Sequence, residues 1–217
     1  MRKTKATPAA VLEAEPHTYR QGGTERSIAA LAEATHRLTE RRVRDLLPGK
    51  IETSRLVLRA PMRGDVPDLV RLADNKAIAE RLERLPSPYT RADAVGFIEI
   101  MAQRADERPY AITLKDRLIG IAGFSYHEGR PPELGYWLGE PYWGQGYMTE
   151  AARMLVDEAQ RTGAYDTIVA RVLADNIGSL TVLEKLRFKR TGKAKGTTGN
   201  TLGKPMLLFE LKRPRWM

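Results

Sequence analysis

The longest run of regular spacing in the chain lies between residues 147 and 162. Met148, Ala151, Ala152, Leu155 and Ala159 recur every three or four residues, while Arg153, Asp157, Glu158 and Arg161 occupy the positions between them. One apolar stripe and one wet face predict an amphipathic helix over Tyr147–Thr162, and Gly163 supplies the residue most easily held at positive φ past its end. Shorter patterns surround it. Arg55–Ala60 alternates as a first strand, and helical spacing follows at Val66–Ala73 and Lys76–Leu82. A third helix begins at Thr90, where Thr90 and Asp93 have the spacing of a capping box and Val95, Phe97, Ile98, Met101 and Ala102 form the apolar side. Tyr110–Lys115 and Leu118–Tyr126 form a hairpin around Asp116. Glu133–Leu138 and Thr167–Ala174 read as strands, Asn176 opens a helix ending near Phe188, and Met206–Leu211 is the final strand. Upstream, Ile28, Leu31, Ala32, Leu38, Val43 and Leu46 predict a helix from Thr24 or Ser27 to Leu47, stopped by Pro48-Gly49. Residues 1–25 lack such a pattern and are expected to be poorly ordered. The expected organisation is an extension over 1–50 and one α/β domain over 51–217.

Composition narrows the chemistry. The 217 residues include no cysteine, which removes thiol nucleophiles, disulfides and Cys-based zinc sites. His17, His36 and His127 are too scattered to imply a metal, and His127 reads as an exposed strand-end residue. The net charge of +9 is unevenly distributed. Residues 1–50 carry ten Lys/Arg against six Asp/Glu, and residues 188–217 carry eight against one. Lys189, Arg190, Lys193 and Lys195 lack interleaved aromatics, so nucleic-acid binding is disfavoured against a solvated basic surface that suits a phosphate or an acidic substrate. The Pro8–Leu12 apolar patch is too short for a signal peptide and no run reaches membrane-spanning length, so a cytoplasmic protein that does not enter the membrane is expected.

Candidate chemistry concentrates just before the long helix. The loop Trp143-Gly144-Gln145-Gly146-Tyr147-Met148-Thr149 links a strand directly to a helix start. Unpaired N–H groups at such a turn, with the helix dipole behind them, bind phosphate oxygens without a charged side chain. The same loop could instead only turn the chain. No GxxxxGK[ST] is present and the third glycine of the dinucleotide fingerprint is missing, which disfavours both of those phosphate folds.

The order of motifs adds specificity. A Glu133-Leu-Gly-Tyr-Trp-Leu138 strand, the Gly-Gln-Gly-Tyr-Met-Thr-Glu-Ala helix start, Asn176-Ile-Gly-Ser179 and Leu183-Glu-Lys-Leu-Arg-Phe188 follow one another. This series resembles the GNAT N-acetyltransferase superfamily, and within it the ribosomal-protein N-terminal acetyltransferases of the RimJ/RimL type, over roughly Thr53 to Arg213. Trp143 stands where the family often has Arg or Gln, Met148 where it has a small residue, and Arg187 where it usually has glycine. Backbone donors tolerate the first change. Met148 must then point into the core, and Arg187 must either forgo the left-handed helix cap or adopt it under strain.

The resemblance implies a GNAT fold, with a mixed, mostly antiparallel sheet splayed into a V, and acetyl-CoA as cosubstrate without a metal. It implies that Trp137 and Leu138 offer backbone groups to the pantetheine arm and polarise the thioester carbonyl. Trp143, Gly144, Gln145, Gly146, Tyr147, Met148 and Thr149 would form the pyrophosphate loop. Glu133 is the candidate base or else a rim carboxylate. Ser179 is the candidate proton donor, since the tyrosine that some relatives use is replaced by Leu183. Asn176 orders the cofactor arm, caps its helix, or does both. The acceptor is expected to be a primary amine, foremost a protein N-terminal α-amine. Amino acids, polyamines, aminoglycosides and a non-catalytic acyl-CoA-binding module are the alternatives. Pro86–Thr90 and Gly192–Lys204 are the expected acceptor segments, and the protein is expected to be a monomer or homodimer.

Overall fold

A computed structural model describes residues 46–163 and 165–213. The predicted N-terminal helix and the charged start lie outside the described residues. Eight strands form one sheet: β1 (Lys50–Glu52), β2 (Val57–Arg59), β3 (Glu107–Leu114), β4 (Arg117–Ser125), β5 (Glu133–Leu138), β6 (Thr167–Leu173), β7 (Lys189–Lys195) and β8 (Pro205–Lys212). Their order across the sheet is β1-β2-β3-β4-β5-β6-β8-β7, antiparallel at every junction except β5–β6. The helices are α1 (Val66–Ala73), α2 (Lys76–Ala79), α3 (Arg91–Glu99), α4 (Tyr147–Arg161) and α5 (Ile177–Lys185). This is the mixed, mostly antiparallel sheet flanked by helices that the motifs implied. Among the described residues no helix is long and apolar enough to cross a membrane.

Both faces of the sheet are covered, which gives two cores. The stripe of α4 is buried as its spacing requires, with Ala151, Ala152, Leu155 and Ala159 fully inaccessible. It packs with Val182, Leu183, Leu186 and Phe188 against Phe124, Leu134, Leu138 and Ile168 of the sheet. Full burial of a leucine contributes about 1.5–3 kcal/mol. On the opposite face Val66, Leu69 and Leu72 of α1 and Ala94 and Ile98 of α3 cover Ala111, Leu118 and Ile121.

Local rules account for most boundaries. Thr90 and Asp93 form the reciprocal capping box, and α3 ends at Glu99 before a 3-10 turn over Met101–Gln103. Lys115 and Asp116 both adopt positive φ, as a tight hairpin turn demands. His127 is exposed beyond β4, as predicted. Three elements differ from expectation. α2 stops at Ala79 rather than Leu82. β1 was not foreseen, and Leu47, only 2% exposed, already belongs to the core, so the folded domain begins before residue 51. β7 makes a strand of Lys189–Lys195, where side-chain exposure on nearly every residue removed the alternation by which a strand is recognised.

Arg187 adopts φ 64°, the left-handed alternative of the two expected. Its N–H donates to Glu184 at 2.9 Å and that of Phe188 to Leu183 at 3.0 Å, the paired bonds of a Schellman cap. Leu183 and Phe188 are buried together, which supplies the apolar contact that accompanies such a cap.

Candidate active site

β5 and β6 run parallel but share a single ladder position, Glu133 with Val169, and then separate. The register of β5 on β4 decides which backbone groups face the gap. Gly139 N–H donates to Ile119 at 2.9 Å, so the bonds towards β4 belong to the odd-numbered residues, Trp137 included. Val169 N–H reaches Pro132 at 3.0 Å on the other edge, the even-numbered side. Tyr136 N–H and C=O and Leu138 N–H therefore face the gap beyond the point where β6 departs. The expected roles divide accordingly: Leu138 presents its N–H, whereas the sheet consumes the backbone of Trp137, whose ring packs with the α1–α3 core. The Leu138 carbonyl accepts Trp143 Nε1 at 2.7 Å, which ties the loop to the strand.

The gap opens into a cleft of about 150 Å³ lined by Glu133, Tyr136, Asn176, Ser179 and Leu183 among others. Three of the four motifs thus converge on one cavity. Asn176 caps α5, its Oδ1 accepting Ser179 N–H at 3.2 Å, so the capping role is present. Ser179 turns its carbonyl to the Tyr136 hydroxyl, which donates at 3.3 Å. Burial pushes the Tyr136 phenol upward, against the opposing effect of that bond, so it stays protonated at neutral pH.

Glu133 is not free. Arg171 Nε donates to both of its carboxylate oxygens, at 2.9 and 3.0 Å, and Arg171 Nη2 lies 3.6 Å from Glu83. Burial opposes the charge on Arg171, but the bond to Glu133 and the charges of Glu133 and Glu83 outweigh it and hold the guanidinium above its ordinary value. Arg171, Glu83 and Tyr136 carried no expected role in the site. Alternation along β6 could have put Arg171 on the face of Glu133, but nothing local points to Glu83. The expected acceptor segment Pro86–Thr90 docks elsewhere: Tyr89 is buried in the α1–α3 core, with its N–H on Asp74 Oδ1 at 3.1 Å. Arg81, Leu82 and Glu83 line the cleft in its place, facing Thr201 from the second expected segment.

The loop before α4 has the geometry of an anion site. Gly144 and Gly146 take φ of 73° and 81°, values that cost an L-residue about 1 kcal/mol or more. Among the described residues no backbone carbonyl accepts from the N–H groups of Gly144 to Thr149, and the first such bond of the helix is Glu150 to Gly146 at 3.0 Å. Met148 is 8% exposed and points into the core, as the departure from the family pattern required. Gln145 Nε2 donates to Pro141 at 2.9 Å, and Tyr147 meets Tyr142 edge to face. Thr149 borders a second cleft, of about 410 Å³, with Arg153 and Lys185 on its wall.

Residues 55–189 match the acetyltransferase (GNAT) domain, well over half of the chain. This protein belongs to the GNAT acetyltransferase family. The GNAT chain is 31% identical over 114 residues to the uncharacterized N-acetyltransferase p20 of Bacillus licheniformis, covering 48% of this chain and 64% of that one. It is 30% identical over 79 residues to the ribosomal-protein-serine acetyltransferase of Escherichia coli, covering 36% and 44%. The GNAT chain thus spans less than two thirds of the length of these curated relatives. In structure it resembles the microcin C7 self-immunity acetyltransferase MccE, solved with acetyl-CoA and AMP, at a TM-score of 0.68 and 22% identity over 77% of this chain and 98% of that one. It also resembles RimL, the ribosomal L7/L12 α-N-protein acetyltransferase solved with coenzyme A, at 0.66 and 23% over 76% and 97%. Both likenesses establish the fold. The Escherichia coli relative agrees with the RimJ/RimL-like branch that the motifs indicated.

Proposed function

We propose that this chain is an acetyl-CoA-dependent N-acetyltransferase that moves an acetyl group directly to a primary amine, foremost a protein N-terminal α-amine. The observation that carries the reading is the divergence of β5 from β6 beside a turn of unpaired N–H groups, with Glu133, Asn176 and Ser179 on one cleft. The residues present fit acetyl-CoA. Gly144 to Thr149 offer N–H groups for a pyrophosphate, and Arg153 and Lys185 offer cations for a further phosphate. Tyr136 and Leu138 offer the free strand edge for an amide-containing arm. When bound, acetyl-CoA supplies the activated acetyl group and a thiolate leaving group.

The chain's own residues divide the remaining work. Glu133, at the cleft, takes the proton of the attacking amine directly or through water, using the lone pairs that Arg171 leaves. An α-amine titrates near 8, so about a tenth of it is already neutral at pH 7, and the base is needed chiefly for the proton that the nitrogen releases as the C–N bond forms. Leu138 N–H polarises the acyl oxygen, an arrangement worth about 3 kcal/mol in typical enzymes. The Ser179 hydroxyl delivers a proton to the departing sulfur and recovers one from water, while the Tyr136 phenol, donating to the Ser179 backbone carbonyl, holds that end of α5 against β5. A protein acceptor is favoured by the ribosomal-protein-serine acetyltransferase among the sequence relatives.

The test is acetyl-CoA-dependent release of free thiol, run against N-terminal peptides, amino acids, polyamines and aminoglycosides, with calorimetric titration of acetyl-CoA in parallel. Turnover with peptides and not with the small amines is the expected result. Turnover with a small amine alone removes the protein acceptor, binding without turnover across the panel supports the sensing module, and absence of binding removes the acyltransferase reading.

A further inference from the structure

Arg55 lies at the start of the resembled region and carries no role in the chemistry above, yet its side chain reaches two residues of the anion loop, Gln145 and Tyr147. Its Nε donates to Glu150 Oε2 at 2.7 Å, and its own N–H donates to Glu150 Oε1 at 3.0 Å. Thr53 Oγ1 at 2.6 Å and Ser54 Oγ at 3.0 Å complete the shell around the same carboxylate. Arg55 Nη1 then reaches the Gln145 carbonyl at 3.1 Å, and the guanidinium lies 4.4 Å from the centre of the Tyr147 ring. The consequence follows from peptide geometry. In a trans peptide the carbonyl of Gln145 and the N–H of Gly146 point in opposite directions. Holding the carbonyl on Arg55 turns that N–H to the far side and withdraws the carbonyl lone pairs from any anion there.

We propose that Arg55 is a positioning residue for cofactor binding: anchored on Glu150, it fixes the Gln145–Gly146 peptide so that the loop meets phosphate with donors only. This rests on the reading that acetyl-CoA binds at the loop. Arginine suits the task because one planar fork engages a carboxylate and a carbonyl together, whereas a lysine ammonium reaches one at a time.

The experiment measures acetyl-CoA dissociation constants by calorimetry, with kcat and melting temperature, for the full-length wild type, Arg55→Ala, Arg55→Lys, Glu150→Gln and the Arg55→Ala/Glu150→Gln pair. Arg55→Ala is expected to raise Kd about tenfold, the scale of one charge-assisted bond, with kcat at saturating acetyl-CoA within about twofold. Arg55→Lys retains the pairing with Glu150 and is expected to melt like the wild type while binding several-fold more weakly. That split separates a set loop from a merely stabilised fold. The double variant is expected to bind no more weakly than Arg55→Ala, because both changes dismantle one device. An Arg55→Lys protein that binds like the wild type, or fully additive losses, would overturn the proposal. A wild type that fails to bind acetyl-CoA overturns the acyltransferase reading and this assignment with it.

Discussion

The loop before α4 and the far wall of the Glu133 cleft are built on opposite plans. The proposed cofactor wall is a contiguous turn, Trp143 to Thr149, that offers backbone N–H donors and whose brace arrives as three neighbouring residues, Thr53 to Arg55. The proposed acceptor wall joins two segments more than a hundred residues apart. Asn200 Nδ2 donates to the carbonyls of Ala79, Leu82 and Leu85 at 3.1, 3.2 and 2.7 Å, and Asn200 N–H reaches Glu83 at 3.2 Å. Thr198 bonds the Glu83 carboxylate, and Lys204 Nζ the Glu80 carbonyl at 2.9 Å. A Cβ on Gly199 would stand 1.9 Å from the Glu83 carbonyl oxygen, so glycine is the only residue that lets the segments close. On the proposed reading the backbone donors would meet a group shared by every acyl-CoA, while the acceptor wall depends on individual side chains and is free to differ with the substrate. The two walls should therefore fail separately.

The largest separation is expected at Glu133. Glu133→Gln keeps an acceptor for Arg171 but cannot take up a proton, and the rate should fall on the order of a hundredfold. Acetyl-CoA affinity should not change, because Glu133 lies on the cleft and away from the loop. Steady-state rates against pH with calorimetry check both halves. Turnover and a pH profile equal to the wild type would remove Glu133 as the base.

Asn200→Ala comes next. It strands carbonyls of the turn after α2 and should cost about 1–3 kcal/mol of stability. The acceptor KM should rise while acetyl-CoA Kd stays within about twofold, since the two walls share no bond through Asn200. Thermal melting and a KM measurement for each substrate decide this. Equal losses for both substrates would mean that the walls are one mechanical unit.

The same contrast governs what could be read in advance. The loop was legible because Gly144, Gly146 and the helical spacing from Met148 onwards are local signals, each with a backbone cause. The V was legible only through the order of motifs, since the divergence of β5 from β6 is a property of tertiary packing. The Asn200 hub was not legible at all: an asparagine in a polar stretch reads as a loop residue until the chain brings Ala79 to Leu85 against it. Trp137 illustrates the limit on a single strand, because the parity of backbone bonding depends on the register with β4 and not on residue type. Arg55 illustrates it from the other side, as a residue of the bend between β1 and β2 whose partners lie 90 and 95 positions away.

Acid should act on the cofactor wall in a defined direction. Burial raises the Glu150 carboxyl, but bonds from Thr53, Arg55 and Ser54 outweigh it and hold the group below its ordinary value of 4.5. A depressed folded value means that the stabilisation is complete above about pH 4.5 and is lost as the pH falls through the folded value. Asp68, held low chiefly by Arg117, follows the same sign on the far side of the sheet. Melting curves from pH 6 downward should therefore lose stability for both reasons, and Glu150→Gln should remove only the part that loosens the loop. A variant whose acid slope equals the wild type would mean that Glu150 takes up its proton alike in the folded and unfolded chain, so that the shell around it carries no acid-linked stability.

The smallest effect tests the cap outside both walls. Arg187 holds φ 64° in a Schellman cap that a glycine forms without steric cost. The left-handed conformation costs an L-residue about 1–2 kcal/mol, while glycine gives back about 0.5–1 kcal/mol through the greater freedom of its unfolded chain. The difference leaves Arg187→Gly more stable by about 0.5 kcal/mol, which for a chain of this size raises the melting temperature by about 1–2 °C. Catalysis should be untouched, because α5 presents Asn176 and Ser179 from its opposite end. A clear loss of stability would mean that the arginine side chain makes contacts worth more than its strain, and the cap would then be a local adaptation rather than a tolerated departure from glycine.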